Sequence, residues 1–203
     1  MSKIDTFGIS WRKRIHFTIR SLRLKLGLRP FRFVDRRNGL VVFVPHCALN
    51  QNSRVDGTAE RRAAVHELIQ GLLDRGIGIV QLPCPELLLI GLDRADSPIR
   101  EILLEAQPQS RLCDMACEVA NQIQQYRSCG IKVLGILGKN GSPTCGVEQT
   151  YENGQIRSGK GLFIEKLHQI LEIRNMPTNI IGYIDSAPME SLKTIDYWLN
   201  QQL

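Results

Sequence analysis

Apolar runs alternate with helically spaced apolar stripes along this chain, and that alternation predicts its elements. Leu40-Val-Val-Phe-Val44 is an unbroken apolar run and predicts the first core strand, with Pro45 and His46 at its end. The polar stretch Asn50-Gln-Asn-Ser-Arg-Val-Asp-Gly57 is dense in turn formers and predicts a loop. Thr58 suits the N-cap of a helix to Arg75, striped by Ala64, Leu68 and Leu72 and stopped by Gly76. Residues 77–82 predict the second strand, ended by Pro83-Cys84-Pro85. Ser110 suits the cap of a helix to Ser128, with Leu112, Ala116, Val119, Ala120 and Ile123 inward. Residues 132–137 predict a third strand, Lys160–Arg174 a helix, Thr178–Ile184 a fourth strand, and Met189–Leu199 a closing helix. Strands alternating with amphipathic helices imply right-handed βαβ units, hence an α/β fold on a mostly parallel sheet.

Charge divides the chain in two. Residues 1–40 hold eleven Lys or Arg against two Asp, a surplus of nine, while the whole chain is +6. The remaining residues are therefore net −3, and the basicity belongs to an appendage. Within it Trp11, Ile15, Ile19, Leu22 and Leu26 fall on one helical face, and Pro30 ends the pattern. Residues 1–38 are read as a basic amphipathic extension and 39–203 as the α/β domain. A basic segment with interspersed aromatics suits RNA, and the same helix suits an anionic membrane surface. An apolar content of 43% against 23% charged is that of a globular protein with a real core. The N-terminus lacks an apolar secretory segment, so a cytoplasmic, reducing setting is expected.

Six cysteines are too few for a disulfide scaffold, and no C-x-x-C pair is present. Cys113 and Cys117 share a face of a predicted helix, where thiols are usually core packing, and Cys129 is a helix-end bystander. Cys47, Cys84 and Cys145 differ: each lies at or just beyond the end of a predicted strand. The carboxyl ends of parallel strands share one edge, where ligands bind. Three thiolates meeting there, without a fourth, are what an iron–sulfur cluster with one open iron requires.

Each cysteine has its own neighbours. Pro83-Cys84-Pro85-Glu86 holds a thiol and a carboxylate at a strand end, and prolines on both sides make it a poor strand or helix interior. Gly141-Ser-Pro-Thr-Cys-Gly146 is a small-residue loop able to turn backbone N–H groups toward an anion or cluster sulfides. His46 precedes Cys47, as a shielded strand-end histidine or a proton relay. Arg54 and Arg94 follow loop signals, either as substrate or phosphate contacts or, more commonly, as solvated arginines.

Taken in order, Cys47-Ala-Leu-Asn50 with Arg54 and Asp56-Gly57, Cys84-Pro-Glu86, Gly91-Leu-Asp-Arg94 and Ser142-Pro-Thr-Cys-Gly-Val147 resemble the thiouracil desulfidase family, in its less characterised branch. The resemblance spans roughly residues 40–182. It implies a Rossmann-like open sheet with helices on both faces, and a [4Fe-4S] cluster held by Cys47, Cys84 and Cys145. It implies loss of sulfur from a thiolated nucleobase, a free base or one within tRNA, the open iron taking the sulfur while water attacks the ring carbon. Glu86 is the candidate acid/base and Ser142 the candidate hydroxyl that orients water or substrate, with Arg54, Arg94 and His46 as possible substrate contacts. The first motif departs from the Cys-Leu-Leu-Gly associated with characterised members, so the cysteines are better supported than the substrate. Two competing expectations stand beside it. One is an RNA- or membrane-surface binding protein with a structural or redox-sensing cluster. The other is a cysteine hydrolase using His46 as base.

Overall fold

The structure, a computed structural model, describes residues 35–94 and 98–200; the helix expected up to residue 26 lies outside them. Six strands occur among these residues: β1 (Leu40–Val44), β2 (Gly78–Gln81), β3 (Lys132–Lys139), β4 (Gln149–Glu152), β5 (Gln155–Ser158) and β6 (Ile180–Tyr183). Four of them form one sheet in the order β2-β1-β3-β6, every pair parallel. The chain leaves β1 for β2 and then returns across it to β3. That reversal opens a crevice beyond the carboxyl ends of β1 and β3, the place where doubly wound sheets bind ligands. The remaining two strands pair as a separate antiparallel hairpin, β4 with β5.

Helices α1 (His46–Leu49), α2 (His66–Asp74), α3 (Pro85–Leu89), α4 (Ile99–Leu104), α5 (Ala106–Ser128), α6 (Leu162–Ile173) and α7 (Pro188–Asn200) complete the domain. Alternation along β1 sorts them onto two faces. Val41 and Phe43 join one core with Ala116 and Ile123 of α5 and Phe163 and Leu167 of α6. Val42 and Val44 join the other, with Leu68 and Leu72 of α2 and Leu192, Ile195 and Trp198 of α7. On β3, Val133 and Ile136 face the first core although they are three residues apart. A register shift resolves this: Val41 pairs with Val133, but Val42 pairs with Gly135. The extra residue resets the pleat, so both cores stay filled.

Two expected helix starts change, and a hairpin is added. The helix expected from Thr58 occupies only His66–Asp74. Buried Gln51 takes the intervening backbone for itself: its N–H donates to the Ala63 carbonyl, and its Oε1 accepts from the N–H groups of Glu60 and Arg61. The helix expected from Ser110 begins at Ala106. Pro108 sits in its first turn, where a missing N–H costs nothing because those N–H groups have no partner within the helix. The hairpin β4–β5 is new, and turns on Asn153 and Gly154, both at positive φ.

Candidate active site

The site lies on the carboxyl edge of the sheet because each strand there ends in a short, sharply turned segment. Pro45 halts β1 and starts the single turn of α1, which carries His46 and Cys47. Cys84 is the N-cap of α3, with Pro85 in the first helical position, where proline is favoured. Cys145 follows β3 in a loop pinned by two side chains. The Ser142 hydroxyl accepts hydrogen bonds from the backbone N–H groups of Thr144 and Cys145, at 3.2 and 3.0 Å. Asn140 Oδ1 accepts from the N–H groups of Val147 and Glu148, at 3.2 and 3.1 Å. Gly138 and Gly146 are required there, since a Cβ on either would collide with backbone carbonyls of this loop.

All eight sequence candidates line one cleft of about 600 Å³: Cys47, Cys84, Cys145, Glu86, Ser142, Arg54, Arg94 and His46. Glu86 is 8% exposed and accepts the hydroxyl of Thr144 at 2.5 Å and that of Ser142 at 3.3 Å. Arg94, 2% exposed, brings its Nε to 3.5 Å from Glu86 and donates to the carbonyls of Gly91 and Ser53. It is a buried clamp between the loops after β1 and β2, not a solvated arginine. Arg54 is also committed, ion-paired to fully buried Asp185, which Lys139 Nζ approaches at 3.2 Å. The imidazole Nε2 of His46 is buried without a hydrogen-bond partner, so it forms no thiol–imidazole pair through that nitrogen.

Four residues here escaped the sequence reading: Lys139, Thr144, Tyr183 and Asp185. Lys139 and Tyr183 end neighbouring strands and pair in register. The strand-end rule that singled out the cysteines would have found both.

Burial pushes the Cys47 thiol up and Cys84 up to about 11, with the Glu86 charge adding to the latter. Cys145 is raised well above the usual thiol value, first by burial and then by Cys84 and Cys47. Burial outweighs the nearby Arg54 and Arg94 charges, so the three are thiols at neutral pH, and a metal bound there would displace protons.

A family model described as 2-thiouracil desulfurase matches residues 42–174. The chain belongs to this family. An uncharacterized protein of Methanocaldococcus jannaschii, MJ0003, is 30% identical over 144 residues, 70% of this chain and 85% of that one. A solved structure titled as a [4Fe-4S]-dependent thiouracil desulfidase, TudS, aligns with a TM-score of 0.48 at 19% identity, over 78% of this chain and 99% of that one. The match to the 2-thiouracil desulfurase family encloses all eight sequence candidates and ends before Tyr183 and Asp185.

The donor set of this family member can be tested against a cluster on its own chemistry. One tetrahedral ion draws sulfurs together on bonds of about 2.3 Å, and no group of three His, Cys, Asp or Glu among the described residues suits a single ion. A cubane differs, because it offers a separate iron at each corner and takes one thiolate at each. Charge agrees. Three thiolates around a dicationic cube carry one net negative charge. Arg54 and Lys139 share the single carboxylate of Asp185, leaving one buried positive charge over. In donor type and in charge the residues fit the group.

Proposed function

We propose that this protein is a [4Fe-4S]-dependent desulfidase that removes sulfur from a thiolated nucleobase, as a free base or within tRNA, and replaces it with oxygen. The observation that carries the reading is the presence, in one cleft, of three strand-end cysteines and the Glu86–Ser142–Thr144 hydrogen-bonded group. Cys47, Cys84 and Cys145 would hold the cluster, which when bound would supply Lewis acidity toward the substrate sulfur.

The chain's own residues supply the rest. The Glu86 carboxylate faces the cleft with the Ser142 hydroxyl beside it, so a water placed there loses its proton to Glu86 as it attacks the ring carbon. Thr144 and Arg94 fix the carboxylate from both oxygens, keeping it aimed as charge moves. One water is consumed: hydrosulfide leaves with one of its protons and Glu86 releases the other to solvent, so the base keeps the proton count it began with. Arg54 and His46 stand on the β1 side of the cleft, within the wall the substrate must pass.

Anaerobic reconstitution followed by hydrosulfide release from free thiouracils and from thiolated tRNA tests this. Release from either supports it, and cluster-loaded protein inert toward both overturns it. The surplus of nine positive charges in residues 1–40 favours tRNA delivery by the basic arm. Deleting residues 1–38 is expected to weaken binding to tRNA. Loss of binding to anionic vesicles instead assigns the arm to a membrane surface.

A further inference from the structure

The wall behind Cys47 is built by a residue that neither the motifs nor the family match reaches. Tyr183 closes β6, is 1% exposed, and packs in the core shared by Val44 and Ala48. Its hydroxyl lies 3.6 Å from Cys47 Sγ, within hydrogen-bonding reach for sulfur. Among the described residues no other hydrogen bond occupies that hydroxyl. Lys139 sits 5.9 Å from the ring centroid and is itself held by Asp185, while burial in this core holds the ring in place.

In the thiol form either atom can donate. A ligating cysteine is a thiolate and only accepts, so in the loaded protein the phenol must be the donor. A hydrogen bond to a cluster thiolate withdraws electron density from sulfur and makes the irons more electrophilic and easier to reduce. We propose that Tyr183 donates a hydrogen bond to the Cys47 thiolate and thereby tunes the reduction potential and Lewis acidity of the cluster. Tyr183 acts through Cys47 and is a positioning residue. The inference rests on the cluster reading above.

Tyr183→Phe removes the hydroxyl alone. The reconstituted variant is expected to hold as much iron per chain as the wild type, with its midpoint potential in a mediated spectroelectrochemical titration shifted negative. Its sulfur-to-iron charge-transfer absorption moves to longer wavelength, because the thiolate is richer in electrons. Replacing Tyr183 by 3,5-difluorotyrosine, a stronger donor of similar shape, moves both readouts the opposite way at a pH where the phenol stays protonated. This second variant decides the matter even when Tyr183→Phe retains too little cluster to titrate. Potentials that do not follow the order phenylalanine, tyrosine, difluorotyrosine overturn the assignment. Wild-type protein that takes up no cluster overturns the functional reading instead, so the two failures are distinct.

Discussion

The strand-end cysteines and the helix-associated cysteines are the same residue type, yet they occupy different chemical worlds. Cys47 and Cys84 are half-buried, and so are Cys113, Cys117 and Cys129. Residue exposure sets only Cys145 apart, although burial raises the thiols of all three strand-end cysteines. Cys113 and Cys117 pack against the core formed by α5, α6 and the sheet. Cys47 and Cys84, with buried Cys145, face a cleft that also holds Glu86, Arg94 and Lys139. The difference comes from topology: parallel strands deliver their carboxyl ends to one edge, whereas a helix spreads its residues along an axis. Topology decides which thiols the fold brings together in the cleft.

The largest effect breaks that comparison outright. Cys47→Ala, Cys84→Ala and Cys145→Ala are each expected to abolish iron retention and the visible absorption of reconstituted protein. Cys113→Ala and Cys117→Ala should leave both unchanged. Iron lost equally from both sets would erase the distinction. Next is Glu86→Gln, expected to slow hydrosulfide release by roughly 10²–10⁴-fold, the usual worth of a positioned acid or base, while iron content holds. Asp185→Asn leaves Arg54 and Lys139 without their shared buried carboxylate. It should destabilise the fold by about 3 kcal/mol, read from urea unfolding.

A pH series sharpens the same contrast. The thiols of Cys47, Cys84 and Cys145 are raised by burial, so at neutral pH they carry protons that a metal must displace. Iron uptake should strengthen as pH rises toward the Cys84 value of about 11, with proton release measurable in buffers of different ionisation enthalpy. The smallest effect lies far from the cleft, at the Arg75–Asp196 pair, where Asp196 is 43% exposed. Asp196 is held below the usual carboxylate range by Arg75. Its contribution is full above the unfolded carboxylate value and lost as pH falls through the lower folded one. Exposure limits Asp196→Asn to less than about 1 kcal/mol in thermal or urea unfolding.

The runs at 40–44, 77–82 and 132–137 were legible because mostly apolar segments of this length, bounded by turn formers, are too short for core helices, although β2 proves to be a partly exposed edge strand. Asn153-Gly154 was equally legible as a hairpin turn, yet its flanking strands carry few apolar residues, and periodicity passes over them. The segment 58–65 misled because the stripe that begins at Ala64 is real, while the side chain of Gln51, nine residues before Glu60, takes hydrogen bonds from the backbone ahead of it. Arg54 and Arg94 read as surface residues for a related reason. What buries them is Asp185, 131 residues away, and the turn of the chain at Ser53. Local pattern reports local preference, and partners brought by topology lie outside it.

The strand order carries a further consequence, for the life of the chain before it is complete. Cys47 and Cys84 belong to the β1–β2 half, and Cys145 follows β3, which pairs with β1 on its other side. A nascent chain emerging amino end first therefore presents two of the three thiols with nothing to hold them in place. The third arrives only when the loop beyond β3 has cleared the exit, and Tyr183 later still. Under the proposed cluster reading, loading waits until Cys145 has emerged, and the unfinished chain passes through a stage in which Cys47 and Cys84 lack their third partner.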